Sequence, residues 1–460
     1  MALILLGDLP SAAGDFTYNR NYIYLVSAVA ALGGLLFGFD LAIISGTIHF
    51  FTVQFQLNEL QTGLAVGCIN IGAAIGALCA GKLSDDLGRK KLLIISAILF
   101  AITGVGTGWA GDFPIFIIFR LFSGIAIGLA AMVCPMYIAE MSPAALRGRL
   151  VAFYQLAITL GILLAYLSNY LLLDTGQNNW RWMFSSQSVP ALLFFFGLLF
   201  VSESPRWLIR KHHEKEGMRI LERIGGTVYA AAECQAIRRS FSREIKENIR
   251  DLFKEKTKKA VVIGIMIAVF SQITLGPVFA YGPEIFKQAN VAEDTAFLQS
   301  VILGLITLIF TFVAILTIDK AGRKKLLLYG SALLCINGVA IAISFYLALP
   351  GYWILCFVLG AVAIYSATLG PVTWVLLSEI FPNRIRGNAM SLATLSLWIS
   401  SFLALSFFPV MKSSFGMPLT FGIHAAVSFI CFLFVQIKIP ETKGKSLEEI
   451  ELFLNKKSSN

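Results

Sequence analysis

An aspartate, Asp40, stands inside "GGLLFGFDLAIISG" (33–46), an otherwise apolar run. A carboxylate at the centre of a lipid-spanning helix costs roughly 2.5–3.5 kcal/mol on insertion scales, so such residues are paired, wetted or used. Arg120, in "FRLFSGIAIG", is the only other clear charge deep in an apolar span of the first half of the chain. A neighbouring guanidinium favours the ionised carboxylate and burial disfavours it. A conformational change that alters either influence can therefore load or release a proton. The other use of such a pair is static, an ion pair that fixes helix packing.

A second set of charges is repeated. "DDLGRKKL" (85–92) returns as "DKAGRKKL" (319–326), and "EMSPAALRG" (140–148) as "EIFPNRIRG" (379–387). "SESPR" (202–206) returns weakly as "PETKG" (440–444). The offsets are 234, 239 and 238 residues, close enough to mark two related halves. Asp85, Arg89, Glu140 and Arg147 are thereby matched by Asp319, Arg323, Glu379 and Arg386, all at the ends of apolar spans on one face. Glu203 and Arg206, with Glu441 in the second half, belong to the same face. Basic residues alone would serve topology, to which acids contribute little. Repetition of the acids points to opposite charges pairing between neighbouring helices, a lock that a change of state breaks.

The spans that carry these residues dominate the chain. It is 57% hydrophobic and 14% charged, against about a quarter charged in a soluble domain, and its mean hydropathy is +0.76. Twelve stretches of spanning length recur, at about 22–48, 60–80, 92–110, 114–138, 150–173, 185–202, 260–286, 296–318, 325–347, 352–378, 388–411 and 416–437. The net charge of +10 is concentrated in alternate loops, around Lys82, Arg149, 206–259, Lys320, Arg384 and the C-terminal tail. The loops between hold only Arg181, Lys287 and Lys412. This places the basic loops and both termini in the cytoplasm. The charge is a topology signal and does not imply nucleic acid. The reading is an all-α membrane protein with twelve transmembrane helices in two six-helix halves: residues 1–202, a cytoplasmic connector of short amphipathic helices at 203–259, and 260–460. Seven scattered cysteines suggest neither a disulfide framework nor a metal site, and "MALILLGDLP" lacks the basic region of a signal peptide. Gly63 with Gly67, Gly72 with Gly76, and Gly124 with Gly128 have the spacing of close helix packing.

"GGLLFGFD", "GRKK" twice, "PMYIAEMSPAALRG", "ESPRWL", "GPVTWVLLSEIFPNRIRG" and "PETKGKSLEE", in this order and spacing, carry a resemblance. The chain resembles the sugar porter family of the major facilitator superfamily, including bacterial xylose–proton symporters and animal glucose facilitators. The resemblance implies the major facilitator fold, with Asp40 as the protonation site and Arg120 as its partner. It implies a substrate site at Phe37, Gln155, Gln272, Trp374 and Trp398. Ile162 stands at the second polar position of the fifth span, as in the glucose facilitators. Departures weaken the match to sugar. The family's Q-Q-x-x-G-x-N of the seventh span reads "SQITLGP", so a glutamine is replaced by Ser271 and the asparagine position falls on Gly276 or Pro277. Thr307 and Leu397 stand where the family has an asparagine and a glutamine.

The function these features imply is proton-coupled symport of a monosaccharide or related polyol by alternating access. Three alternatives stay open: a non-sugar organic solute, a facilitative sugar carrier, against which Asp40 argues, and a non-transporting sensor. A sensor would carry a signalling tail, and the chain ends soon after "SLEEIELF". No nucleophile–base or metal constellation suggests an enzyme. The implied partners are a small solute, protons and the lipid bilayer. The implied state is a monomer in the plasma membrane (the inner membrane of a bacterium), driven by the proton gradient without a cofactor.

Overall fold

The computed structural model describes residues 17–242, 252, 254–288, 293–382 and 385–443, and helix is the regular structure throughout them. In chain order the helices are α1 (Arg20–Ile43), α2 (Ile48–Phe55), α3 (Glu59–Leu87), α4 (Arg89–Gly108), α5 (Phe113–Met141), α6 (Ala144–Leu172), α7 (Asn179–Ser186) and α8 (Ser188–Phe200). Then follow α9 (Pro205–Arg210), α10 (Glu214–Ser242), α11 (Glu255–Gln288), α12 (Glu293–Ala321), α13 (Arg323–Tyr346), α14 (Gly351–Ala367), α15 (Leu369–Ile380) and α16 (Arg386–Lys438). Polar residues mark several starts, because the first N–H groups of a helix lack helical partners. Asn19 caps α1, Asp112 caps α5, and Asn58 and Gln61 form a reciprocal box at α3.

Among the described residues, eleven helical stretches are long and apolar enough to cross a membrane. The last, α16, is 53 residues long and reverses at Gly416, where φ is +72°, so it supplies two crossings. Twelve crossings result, as the hydropathy pattern predicts. Phe200, Leu193 and Ile336 leave more than half of their side-chain surface uncovered, as lipid-facing positions do. The sixth span, made of α7 and α8, stays helical through Gln187, where φ is −56° and ψ −28°, and forms one stretch of spanning length. One span differs from its predicted continuous form. The tenth breaks at Thr368, where the backbone leaves the helical region just before Gly370 and Pro371, so that α14 and α15 are separate.

Small residues set the packing of the crossings. A Cβ on Gly72 would lie 2.1 Å from the Leu121 carbonyl oxygen, and one on Gly124 would lie 2.0 Å from that of Ile69. The backbones of α3 and α5 touch there, as the glycine spacing predicts. Gly63 and Gly67 do something different. They face Ser406 and Phe402 of α16, so they join the first six crossings to the last six.

Between these two groups run α9 and α10, the latter bent at Gly225 and Gly226. The Asn19 N–H bonds the Ile224 carbonyl at 2.9 Å, and Arg223 lies 4.1 Å from the centre of the Tyr22 ring, which ties this segment to the start of α1. Arg384, residues 243–251 and 253 of the predicted connector, and residues 1–16 and 444–460 at the termini lie outside the described residues.

Candidate functional site

Asp40 and Arg120 meet. Asp40 sits late in α1 and Arg120 in α5, both fully buried, with Arg120 Nη1 2.5 Å from Asp40 Oδ1. Two further donors converge on the other carboxylate oxygen. Ser123 Oγ, one helical turn past Arg120, donates to Oδ2, and Gln187 Nε2 donates to the same atom at 3.1 Å. The sequence reading named neither. Ser123 was accessible to it, because residues three apart share a helix face. Gln187 lies 147 positions from Asp40, and only folding brings it there. Arg120 is less fully used. Its guanidinium lies 5.7 Å from the Phe184 ring centre, while Nε and Nη2 are buried without a hydrogen-bond partner. The buried carboxylate thus accepts from one cationic and two neutral donors. Two idle donors on its partner leave room for a second arrangement.

The residues implied as the substrate site are distributed over both groups of crossings. Phe37 on α1 approaches Trp398 on α16, with ring centres 5.7 Å apart. The Trp398 indole Nε1 is buried without a partner, and an unmade buried hydrogen bond costs about 1–3 kcal/mol. Gln155 on α6 and Trp374 on α15 are half-buried, and Ile162 is buried. Gln272 Nε2 reaches only its neighbour, Ser271 Oγ, at 3.3 Å. The departures from the family pattern have a physical consequence. Ser271 and Thr307 donate to carbonyls of their own helices, those of Ala268 and Leu303, at 2.8 Å. Leu397 is buried. A side chain at Gly276 would meet nothing within 4 Å. These implied positions are therefore poorer in free amides than the family pattern.

The repeated charges form two matching networks on the basic face. Arg89 holds Glu140 with Nε and Nη2, both at 3.0 Å, and Asp85 with Nη1 at 3.2 Å. Arg323 holds Glu379 at 2.9 Å and Asp319 at 3.0 Å. Arg210 reaches Asp85 at 3.2 Å, Ser204 donates to Glu140, and Thr442 donates to Glu379. Arg147 and Arg386 also act alike, each bonding a backbone carbonyl just before it, that of Ala139 and of Phe381. Arg206 is exposed on α9. All these pairs lie within one group of crossings. Glu203 and Glu441 have a role the sequence reading did not assign. Glu203 accepts from the backbone N–H groups of Arg89, Lys90 and Ser204, and Glu441 from that of Arg323. Each carboxylate covers the start of a helix, α4 or α13, whose own N-cap is a glycine with positive φ: Gly88 at +95° and Gly322 at +90°. A Cβ at Gly88 would lie 2.4 Å from Glu203 Oε2. Burial raises the Glu203 pKa, against the opposing pull of these backbone bonds.

On the opposite face the two groups are in contact. Gly63 abuts the Ser406 carbonyl, Gly304 of α12 abuts Leu163 of α6, and the Tyr166 hydroxyl bonds the Phe279 carbonyl. The chain is thus closed on that face, and on the basic face Arg89 and Arg323 each hold acids of their own group.

Comparison with known proteins agrees with this architecture. Residues 26–454 match the family model described as "Sugar (and other) transporter". The arabinose-proton symporter of Bacillus subtilis (strain 168) is 40% identical over 450 residues, covering 96% of this chain and 97% of that protein. The D-xylose-proton symporter of Escherichia coli (strain K12) is 39% identical over 473 residues, covering 94% and 96%. A solved structure of the xylose transporter XylE from E. coli in its inward open conformation superposes with a TM-score of 0.85 at 37% identity, covering 94% of this chain and all of that one. With a matching model across nearly its whole length and relatives this similar, the chain belongs to the sugar transporter family, as a multi-pass membrane protein of the major facilitator fold.

Proposed function

We propose that the chain is a secondary active transporter that couples entry of a monosaccharide or related polyol to entry of a proton. The observation that carries this reading is Asp40, wholly buried in a span and held by Arg120, Ser123 and Gln187. A facilitator has no need of such a group. A purely structural pair would not leave Nε and Nη2 of its arginine unbonded. Loading the carboxylate with a proton cancels its attraction for Arg120, and the released guanidinium has donors ready for a different set of partners. The reading agrees with the relatives, two of which are named as pentose–proton symporters.

In this proposal the first six and last six crossings are two bodies that rock about a central site between Phe37 and Trp398. The unpaired Trp398 Nε1 waits for a hydroxyl oxygen. The basic face, both termini and the segment with α9 and α10 lie in the cytoplasm, and the protein works as a monomer in the plasma membrane. The structure then corresponds to the form that admits solute from the cytoplasm. The test is uptake by proteoliposomes with an imposed inward-acid gradient, using labelled arabinose, xylose, glucose and inositol alongside non-sugar solutes. Accumulation of one of the polyols, with internal acidification in step, supports the proposal. Accumulation of a non-sugar solute alone would keep the proton coupling and replace the cargo. Equilibration without accumulation, insensitive to the gradient, would make it a facilitator.

A further inference from the structure

Pro277 and Pro283 interrupt α11, and Pro409 interrupts α16. A proline inside a helix has no N–H, so the carbonyl four residues earlier loses its helical donor. Those carbonyls belong to Ile273, Phe279 and Leu405. Within a bilayer, backbone groups must find partners in the protein. Each of the three does, and each time the partner is a polar atom on an aromatic ring. His424 Nδ1 lies 2.6 Å from the Ile273 oxygen, the Tyr166 hydroxyl donates to Phe279 at 2.6 Å, and the Tyr281 hydroxyl donates to Leu405 at 2.8 Å. All three rings are buried.

Two of these bonds stay within the last six crossings. The bond to Phe279 does not, because Tyr166 belongs to α6, in the first six. Tyr166 stands near the end of α6 that lies away from the basic face, and its ring also packs against Gly304. The other named approaches across this seam are apolar or backbone packing, without a directional bond.

We propose that the Tyr166 hydroxyl, bound to the carbonyl that Pro283 leaves open, is the latch that holds this face closed. The proposal rests on the alternating-access reading above. Opening the face draws α6 away from α11 and breaks the bond. The Phe279 oxygen then has no helical N–H to return to and must be met by water. A helix without Pro283 would satisfy that oxygen internally and leave Tyr166 nothing to hold. Tyr166 is a positioning residue that sets the balance between the two forms.

The test uses the full-length protein in proteoliposomes, with its native cysteines replaced and spin labels on cysteines introduced at Gln177 and Ser414, both exposed and on this face. Distances between the labels report closed and open populations. Tyr166→Phe keeps the ring and removes the donor, so the open-to-closed ratio should rise about fivefold, the ratio that one net buried hydrogen bond sustains. Pro283→Ala returns an N–H to Phe279 and should raise the ratio by itself. In that background Tyr166→Phe should add nothing. An equal shift in both backgrounds would overturn the proposal, since the hydroxyl would then act on something other than the freed carbonyl. Two populations that Tyr166→Phe leaves unmoved would overturn the latch alone. One unmoving distance in every variant, with or without sugar, would overturn the latch together with alternating access.

Discussion

Asp40 gathers three donors onto one buried carboxylate, and the proposed coupling requires it to give up a proton and regain it. Asp40→Asn fixes the neutral form. Proteoliposomes carrying it should lose accumulation against a gradient and keep exchange of labelled for unlabelled solute, which needs no net proton movement. Concentrative uptake by the variant under an imposed pH gradient would reduce Asp40 to a packing residue. At the proposed substrate site the idle atom is Trp398 Nε1. Trp398→Phe preserves most of the apolar face and removes the donor, so solute affinity should fall about fivefold, one net hydrogen bond, in an equilibrium binding titration. The reverse experiment restores a family amide. Leu397→Gln returns an amide to the family pattern and should tighten sugar binding in the same titration. A loss of binding would mean that Leu397 packs against a less hydroxylated cargo.

The helix ends on the basic face explain why three separated motifs recur together. "GRKK" needs a glycine because a carboxylate from "SESPR" or "PETKG" occupies the space above the helix start. Gly88→Ala puts a Cβ into that space and into a backbone region that essentially only glycine adopts, which costs about 1–3 kcal/mol before any clash. Its melting temperature in detergent should fall, and Gly322→Ala should behave in the same way at α13. Glu203 adds a pH dependence. Burial raises its pKa above the usual 4.5, so the folded chain binds that proton more tightly than the unfolded chain does. The stability this contributes is present at low pH and is lost as pH rises through the raised pKa. Glu203→Gln should flatten the stability curve just above pH 4.5, a change that thermal unfolding across pH 4–7 would detect.

At the scale of the whole molecule, closure of one face and sorting of charges on the other belong to a single arrangement. The named pairs of Arg89 and Arg323 join helices within each group of crossings. Orientation in the bilayer remains a prediction from charge. A cysteine at exposed Gln177 should react with an impermeant reagent added outside intact cells, and one at exposed His213 only after permeabilisation. The opposite pattern would invert the topology and with it the assignment of the cytoplasmic face.

The sequence alone determined the crossings, because lipid imposes a length and a hydropathy that one-dimensional composition records. It also determined the twofold repeat and the pairing of Asp40 with Arg120, the two charges its first-half spans could not leave alone. Turn-length regularities such as Ser123 beside Arg120 were within its reach. The remaining features depended on residues far apart in the chain. Gln187 reaches Asp40 because the sixth span packs against α1, and Glu203 reaches α4 because α8 packs beside that helix. Pro277, Pro283 and Pro409 each lack a backbone N–H. That the carbonyls they free are captured by His424, Tyr166 and Tyr281 was decided by packing, since a hydrogen-bond acceptor made in one helix names no donor until another helix is placed against it.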